Sequence, residues 1–162
     1  METDPKKGHF KPLSINSIAE KVDARPKVAC TSSEIQEVLK DLATAVDDES
    51  YIPATPTKDN PSLSDDYIFD KGDEKLILKD LAPANFVGKI KDVGKGAQKR
   101  KNNGFPQEYL YVFQYPCELT RRDAEITGTE KENVLIYIKI NNRKIPNQIV
   151  FIISFHKNKP LV

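Results

Sequence analysis

Apolar positions concentrate in the last third of the chain. In residues 109–115, Tyr109, Tyr111, Phe113 and Tyr115 alternate with Leu110 and Val112, a period of two that lays the aromatics on one face of a strand. Residues 134–140 and 149–155 are nearly continuous β-branched and aromatic runs, which favours strands covered on both faces. The connection over residues 141–148 holds Asn141, Asn142 and Pro146 and suits an antiparallel hairpin. Residues 119–127 predict a more polar, weaker strand.

Upstream the period changes. Thr31 and Glu34 have capping-box spacing, and Ile35, Val38, Leu39, Leu42 and Val46 recur at helical intervals, so a helix is predicted over residues 32–47. Its apolar stripe needs a surface: the C-terminal domain, a second copy of the chain or a partner. A second helix is predicted over residues 83–100, with Pro83 in its first turn, Phe86, Val87, Ile90 and Val93 as its stripe, and Asn102, Asn103 and Gly104 ending it. Leu76, Ile77 and Leu78 predict a short strand. Residues 48–75, with Pro53, Pro56 and Pro61, read as a linker. Residues 1–30 read as a mostly irregular tail with one short apolar run at Ile15, Ile18 and Val22. The expected class is α+β: a basic helix on a mainly antiparallel sheet of about four strands. That domain would span residues 75–162, preceded by an acidic, mostly flexible extension over residues 1–74.

Charge reinforces this division. Residues 1–80 carry 11 Lys+Arg against 17 Asp+Glu, a balance of −6, whereas residues 81–162 carry 14 against 7, a balance of +7. A basic surface for a polyanion, with an acidic segment able to compete for it, is one consequence. Eleven prolines and a hydrophobic fraction of 38% agree with part of the chain lying outside a core. No run approaches the ~20 apolar residues that span a bilayer. The first residues lack the apolar stretch of a secretory signal. The expectation is therefore a cytoplasmic protein, or one delivered by a specialised secretion route, with no membrane partner. Cys30 and Cys117 are too few for a disulfide framework.

Candidate chemistry centres on one histidine. His9 lies in the tail, but His156 ends the most apolar strand, followed by Lys157 and Lys159. An imidazole held at a strand end suits general acid–base work near neutral pH. Arg121 and Arg122 follow the first long strand, and Lys139 is embedded in the second. Metal-ligand spacing is absent, so no metal or cofactor is expected. Gly94 and Gly96 lack the spacing of a phosphate loop. Metal-free RNA cleavage needs a base for the 2′-hydroxyl, an acid for the leaving oxygen and cations for the phosphorane. His156, Lys139, Arg121 and Arg122 match that need as a catalytic set. Lys95, Lys99, Arg100, Lys101, Lys157 and Lys159 are candidate RNA contacts. Cys117 paired with His156 as a nucleophile competes, without a surrounding motif.

The run Glu132, Asn133, Val134, Leu135, Ile136, Tyr137, Ile138, Lys139 and Ile140, a polar loop, and then residues 148–156 ending on His156 together resemble the end of RelE/YafQ-type messenger-RNA interferases. These belong to the barnase-like, colicin-like and RelE-like nucleases. The resemblance implies that His156 takes the place of the family's acid/base histidine, with RNA as substrate. The cation the family often carries before that histidine falls here on Ile152, so phosphate stabilisation is assigned to Arg121, Arg122 and Lys139. The residues leave open a non-catalytic protein- or nucleic-acid-binding module, such as an effector, inhibitor or adaptor. A cognate inhibitor or other protein partner would then dock on the helix at residues 32–47.

Overall fold

The computed structural model describes residues 8–14, 26–128 and 130–157. In chain order the elements are β1 (Phe10–Pro12), α1 (Ser32–Asp47), α2 (Lys71–Asp80), β2 (Phe86–Lys91), α3 (Lys95–Asn102), β3 (Tyr109–Thr120), α4 (Ala124–Thr127), β4 (Lys131–Arg143) and β5 (Ile149–Lys157). The fold is α+β. Five strands form one antiparallel sheet: β3 and β4 are central, β5 is one edge, and β1 and β2 share the other side of β3. β1 pairs with the end of β3 and β2 with its beginning. No helix among the described residues is long and apolar enough to cross a membrane.

Three expectations change here. Leu76, Ile77 and Leu78 lie in α2, not in a strand. Asp70 and Asp73 close a reciprocal capping box that starts this helix, with Asp73 N–H donating to Asp70 Oδ1 at 3.0 Å and Asp70 N–H to Asp73 Oδ2 at 2.9 Å. The helix predicted over residues 83–100 divides into β2 and α3. Ile90, expected on a helical stripe, instead faces Leu110 across the ladder, because the outer side of β3 is completed by β2. Asn85 fixes where β2 begins: its amide donates to the Gln114 carbonyl at 2.9 Å. Finally, residues 119–127 are the end of β3, a turn and the four-residue α4. The apolar run at Ile15, Ile18 and Val22 lies outside the described residues.

Helix α1 forms where its pattern predicts. Thr31 caps it by accepting from Glu34 N–H at 3.1 Å. The Glu34 carboxylate does not return to the cap; it accepts from Tyr111 on β3 at 2.6 Å and pairs with Lys89 on β2. The apolar stripe, with Val38, Leu42, Ala45 and Val46 buried, packs on the sheet beside α2. Tyr51, Leu63, Tyr67 and Phe69 from the Pro-rich stretch enter the same core. Alternation decides what faces the helices: Phe113, Tyr115, Cys117 and Leu119 on β3, and Val134, Ile136, Ile138 and Ile140 on β4. A smaller cluster of Ile90, Leu110, Val112 and Tyr137 lies on the opposite face.

Four tyrosine hydroxyls meet carboxylates around the main core. Tyr51 donates to Glu74 at 2.5 Å, Tyr111 to Glu34, Tyr115 to Asp80 at 2.5 Å, and Tyr67 to Glu132. Burial, then the adjacent carboxylate, pushes all four phenols above their ordinary pKa. Acidic α1 also meets the strand hairpin: Lys144 pairs with Glu37 at 3.0 Å and Asp41 at 3.3 Å.

Leu42 is fully buried, so Leu42→Ala is expected to lower stability by about 2–5 kcal/mol, the cost of a core cavity. Denaturant titration checks this; a loss below about 0.5 kcal/mol, as at a surface position, would mean that α1 does not dock.

Candidate functional site

On the sheet face away from α1 and α2, β4 presents Leu135, Tyr137, Lys139 and Asn141. Register brings two neighbours from β5: Tyr137 lies opposite His156 and Lys139 opposite Ser154. Gln114 of β3 lies opposite Tyr137 on its other side. Gln114, Tyr137 and His156 thus form one row across three strands, and Val112, Lys139 and Ser154 form the next. A bulge at Ile153 permits this arrangement, because Ile140 pairs with Ile152 while Lys139 already pairs with Ser154.

The ring centroids of Tyr137 and His156 are 5.4 Å apart, and Lys139 Nζ is 5.2 Å from the Tyr137 centroid. The latter is cation–π distance. His156 Nδ1 is 3.0 Å from the Lys157 carbonyl. A carbonyl only accepts, so Nδ1 carries the proton there and Nε2 is the basic nitrogen of the neutral ring. Accessibility falls along the row: His156 is half-buried, Tyr137 is 6% exposed and Gln114 is fully buried. Both polar atoms of the Gln114 side chain lack a hydrogen-bond partner.

His156 and Lys139 are therefore brought together, and Arg121 and Arg122 are not part of the row. Arg121 gives Nε and Nη2 to Asp123 at 2.8 and 3.0 Å and Nη1 to Glu132. Glu132 lies opposite Leu119, on the helix-facing side, and also accepts from Tyr67 and from Lys157 at 2.9 Å. Burial opposes ionisation of Glu132, but these donors outweigh it and hold its pKa below the usual carboxylate range. Arg122 donates from Nε to the Ser64 carbonyl at 2.6 Å, pinning the turn that contains it.

On α3, Lys95 and Lys99 are exposed, and Lys101 reaches Gln107 at 2.8 Å. Arg100 forks onto Glu108, which holds that carboxyl below its ordinary range. Glu108 and Asp92 accept from the Asn141 amide at 2.9 and 2.8 Å, two residues along β4 from Lys139. Lys159 lies outside the described residues. Cys117 is fully buried on the helix-facing side, and burial pushes its thiol up to about 12, so it is not an accessible nucleophile beside His156.

Sequence reasoning missed Tyr137 and Gln114. Strand alternation puts Tyr137 with Lys139, and Gln114 is the polar residue in the Leu110, Val112 phase; only the register joins them to His156. A second cluster groups donor atoms of His9, Asp70 and Asp73 within 4.8 Å of one another. Here Asp73 accepts from His9 N–H and lies 2.9 Å from its Nδ1, clasping the start of β1 onto α2. A Cβ on Gly8 would lie 2.3 Å from Asp73 Oδ1, so this approach needs glycine.

Comparison with protein-family models, curated proteins and solved structures gives no match.

Gln114→Leu removes an unpaired buried donor and acceptor and is expected to raise stability by about 1–2 kcal/mol. Thermal denaturation decides: destabilisation would show that the amide is satisfied. A second expectation concerns pH. The hydrogen bond to Asp73, then its charge, raises the His9 pKa. The clasp is thus fully present below the unfolded value of about 6.5 and is lost as pH rises through the higher folded value. Amide exchange at Phe10 and Lys11 should speed up across that window, beyond the intrinsic pH dependence, in wild type but not in His9→Gln. Equal profiles would refute the clasp.

Proposed function

We propose that the protein is a metal-independent ribonuclease working on the sheet face opposite α1 and α2. The observation that carries this reading is the register that sets His156 beside Tyr137 and next to Lys139. The likeness of residues 132–140 and 148–156 to RelE/YafQ-type interferases supports it, and an α+β architecture with an antiparallel sheet is compatible with that class.

In this reading Nε2 of His156 takes the proton of the ribose 2′-hydroxyl. The 2′-oxygen bonds to phosphorus, the bond from phosphorus to the 5′-oxygen breaks, and the Tyr137 phenol supplies the proton to the departing oxygen. Lys139 offsets charge developing on the phosphorane. The products are a 2′,3′-cyclic phosphate and a free 5′-hydroxyl. Lys95 and Lys99 on α3 hold flanking phosphates by charge. Arg121 and Arg122 maintain the fold around Glu132 and Ser64 and are set aside from the chemistry.

Purified protein incubated with RNA in chelator tests the proposal. Wild type should cleave; His156→Ala should slow cleavage by about 10²–10⁴ and Lys139→Gln by about 10²–10³. Intact RNA with wild type would sink the proposal, and intact RNA that is nevertheless bound would make the face a binding surface. Unchanged cleavage by His156→Ala would remove the histidine from the mechanism.

A further inference from the structure

Strand β5 is an edge strand. Its outer side begins paired: Ile52 N–H donates to the Val150 carbonyl at 2.9 Å, and Ile152 N–H donates to the Ile52 carbonyl at 2.8 Å. This short bridge runs parallel to β5. The chain then leaves through Pro53 and Pro56. Beyond Ile152, Ile153 and Phe155 have no backbone partner on the outer side among the described residues. Ile153, at the bulge, is 44% exposed.

A cleft of about 220 Å³ follows the same edge. Residues 54–57 and 60–64 form its far wall, the start of α2 its end, and residues 153–156 its near wall. We propose that this edge receives one extended peptide strand of a partner protein, which continues the ladder that Ile52 begins. Three observations select that occupant. Outward backbone groups on an edge that lack a partner among the described residues are satisfied by another extended backbone. The far wall runs beside the edge, so an occupant lies between β5 and residues 54–64. The ionisable side chains that line the cleft are Asp70, Lys71, Glu74 and His156, with Lys71 tied to Glu74 at 2.7 Å; the two carboxylates at the α2 end suit a neutral or basic peptide. The proposal does not rest on the ribonuclease reading and needs no RNA, although His156 both lines this cleft and ends the polar row.

The test uses the full chain as bait for a displayed library of random linear peptides of about twelve residues, the length of an edge-binding segment plus flanks. The best binder is synthesised twice, unmodified and with alternate backbone amides N-methylated, and titrated by calorimetry. The unmodified peptide should slow amide exchange at Ile153 and Phe155. N-methylation in one of the two alternations should weaken binding by about tenfold or more, since it removes the ladder donors. Ile153→Lys, which places a charge on the edge, should do the same with an unchanged melting temperature; if it fails to fold, the N-methylated peptides alone decide. Absence of any enriched peptide, protection elsewhere on the chain, or tolerance of both N-methylated forms would overturn the proposal. So would a dimer that protects the same amides without peptide. RNA cleavage is read separately, so either proposal can fail alone.

Discussion

Aromatic hydroxyls on the sheet must find acceptors as the helices close over them, and the rest of the architecture depends on that requirement. A phenol buried without a partner is costly, and a carboxylate acceptor gives one of the stronger hydrogen bonds available. Tyr111 reaches Glu34 on α1 and Tyr115 reaches Asp80 on α2, so β3 specifies where both helices sit. Tyr51 and Tyr67 apply the same device to the Pro-rich connection. The acidity of the N-terminal half is therefore partly structural. Glu34, Glu37 and Asp41 are engaged by Lys89 and Lys144 from the basic half, so the opposed net charges of the two halves meet at their contact.

The two faces of the sheet divide the labour. One is closed by helices, with cysteine and aliphatic side chains in the core and Arg121 outside it in ion pairs. The other carries a row of polar side chains ending at a half-buried imidazole. Arg121 illustrates the division, since its guanidinium is fully engaged by two carboxylates. A cation satisfied in this way has little left to offer a phosphate.

What the sequence made legible followed the strength of its periodicity. The three long strands and α1 carry patterns over seven or more residues, and each forms where its pattern lies. Short segments with mixed signals did not resolve. Leu76, Ile77 and Leu78 are as apolar as a strand, and only the Asp70 and Asp73 box marks the helix around them. Phe86, Val87 and Ile90 fit a helical stripe as well as a strand, and tertiary pairing with β3 decides. Glu34 stands at a helix start, as its spacing from Thr31 predicts, but its carboxylate serves the sheet. Within the site, His156 and Lys139 were visible as residue types in apolar strands. Their meeting was not, because cross-strand register has no local signature, and neither was the engagement of Arg121 and Arg122 elsewhere.

Strand β5 has one residue more than β4 needs, and the bulge at Ile153 absorbs it. Strict two-residue alternation from Val150 would have turned His156 towards the helices together with Ile152. Swallowing the extra residue shifts the strand by half a period, so Phe155 and Lys157 turn inward and His156 turns out. The chain thus has two possible phases for its last residues. The observed one is secured by Phe155 against Phe69, at 5.9 Å between ring centroids, and by Lys157 on Glu132. Those two contacts lie on the far side of the sheet from the polar row. They nonetheless select the side on which the imidazole appears, so substitutions that never approach the row can erase it by letting the strand slip.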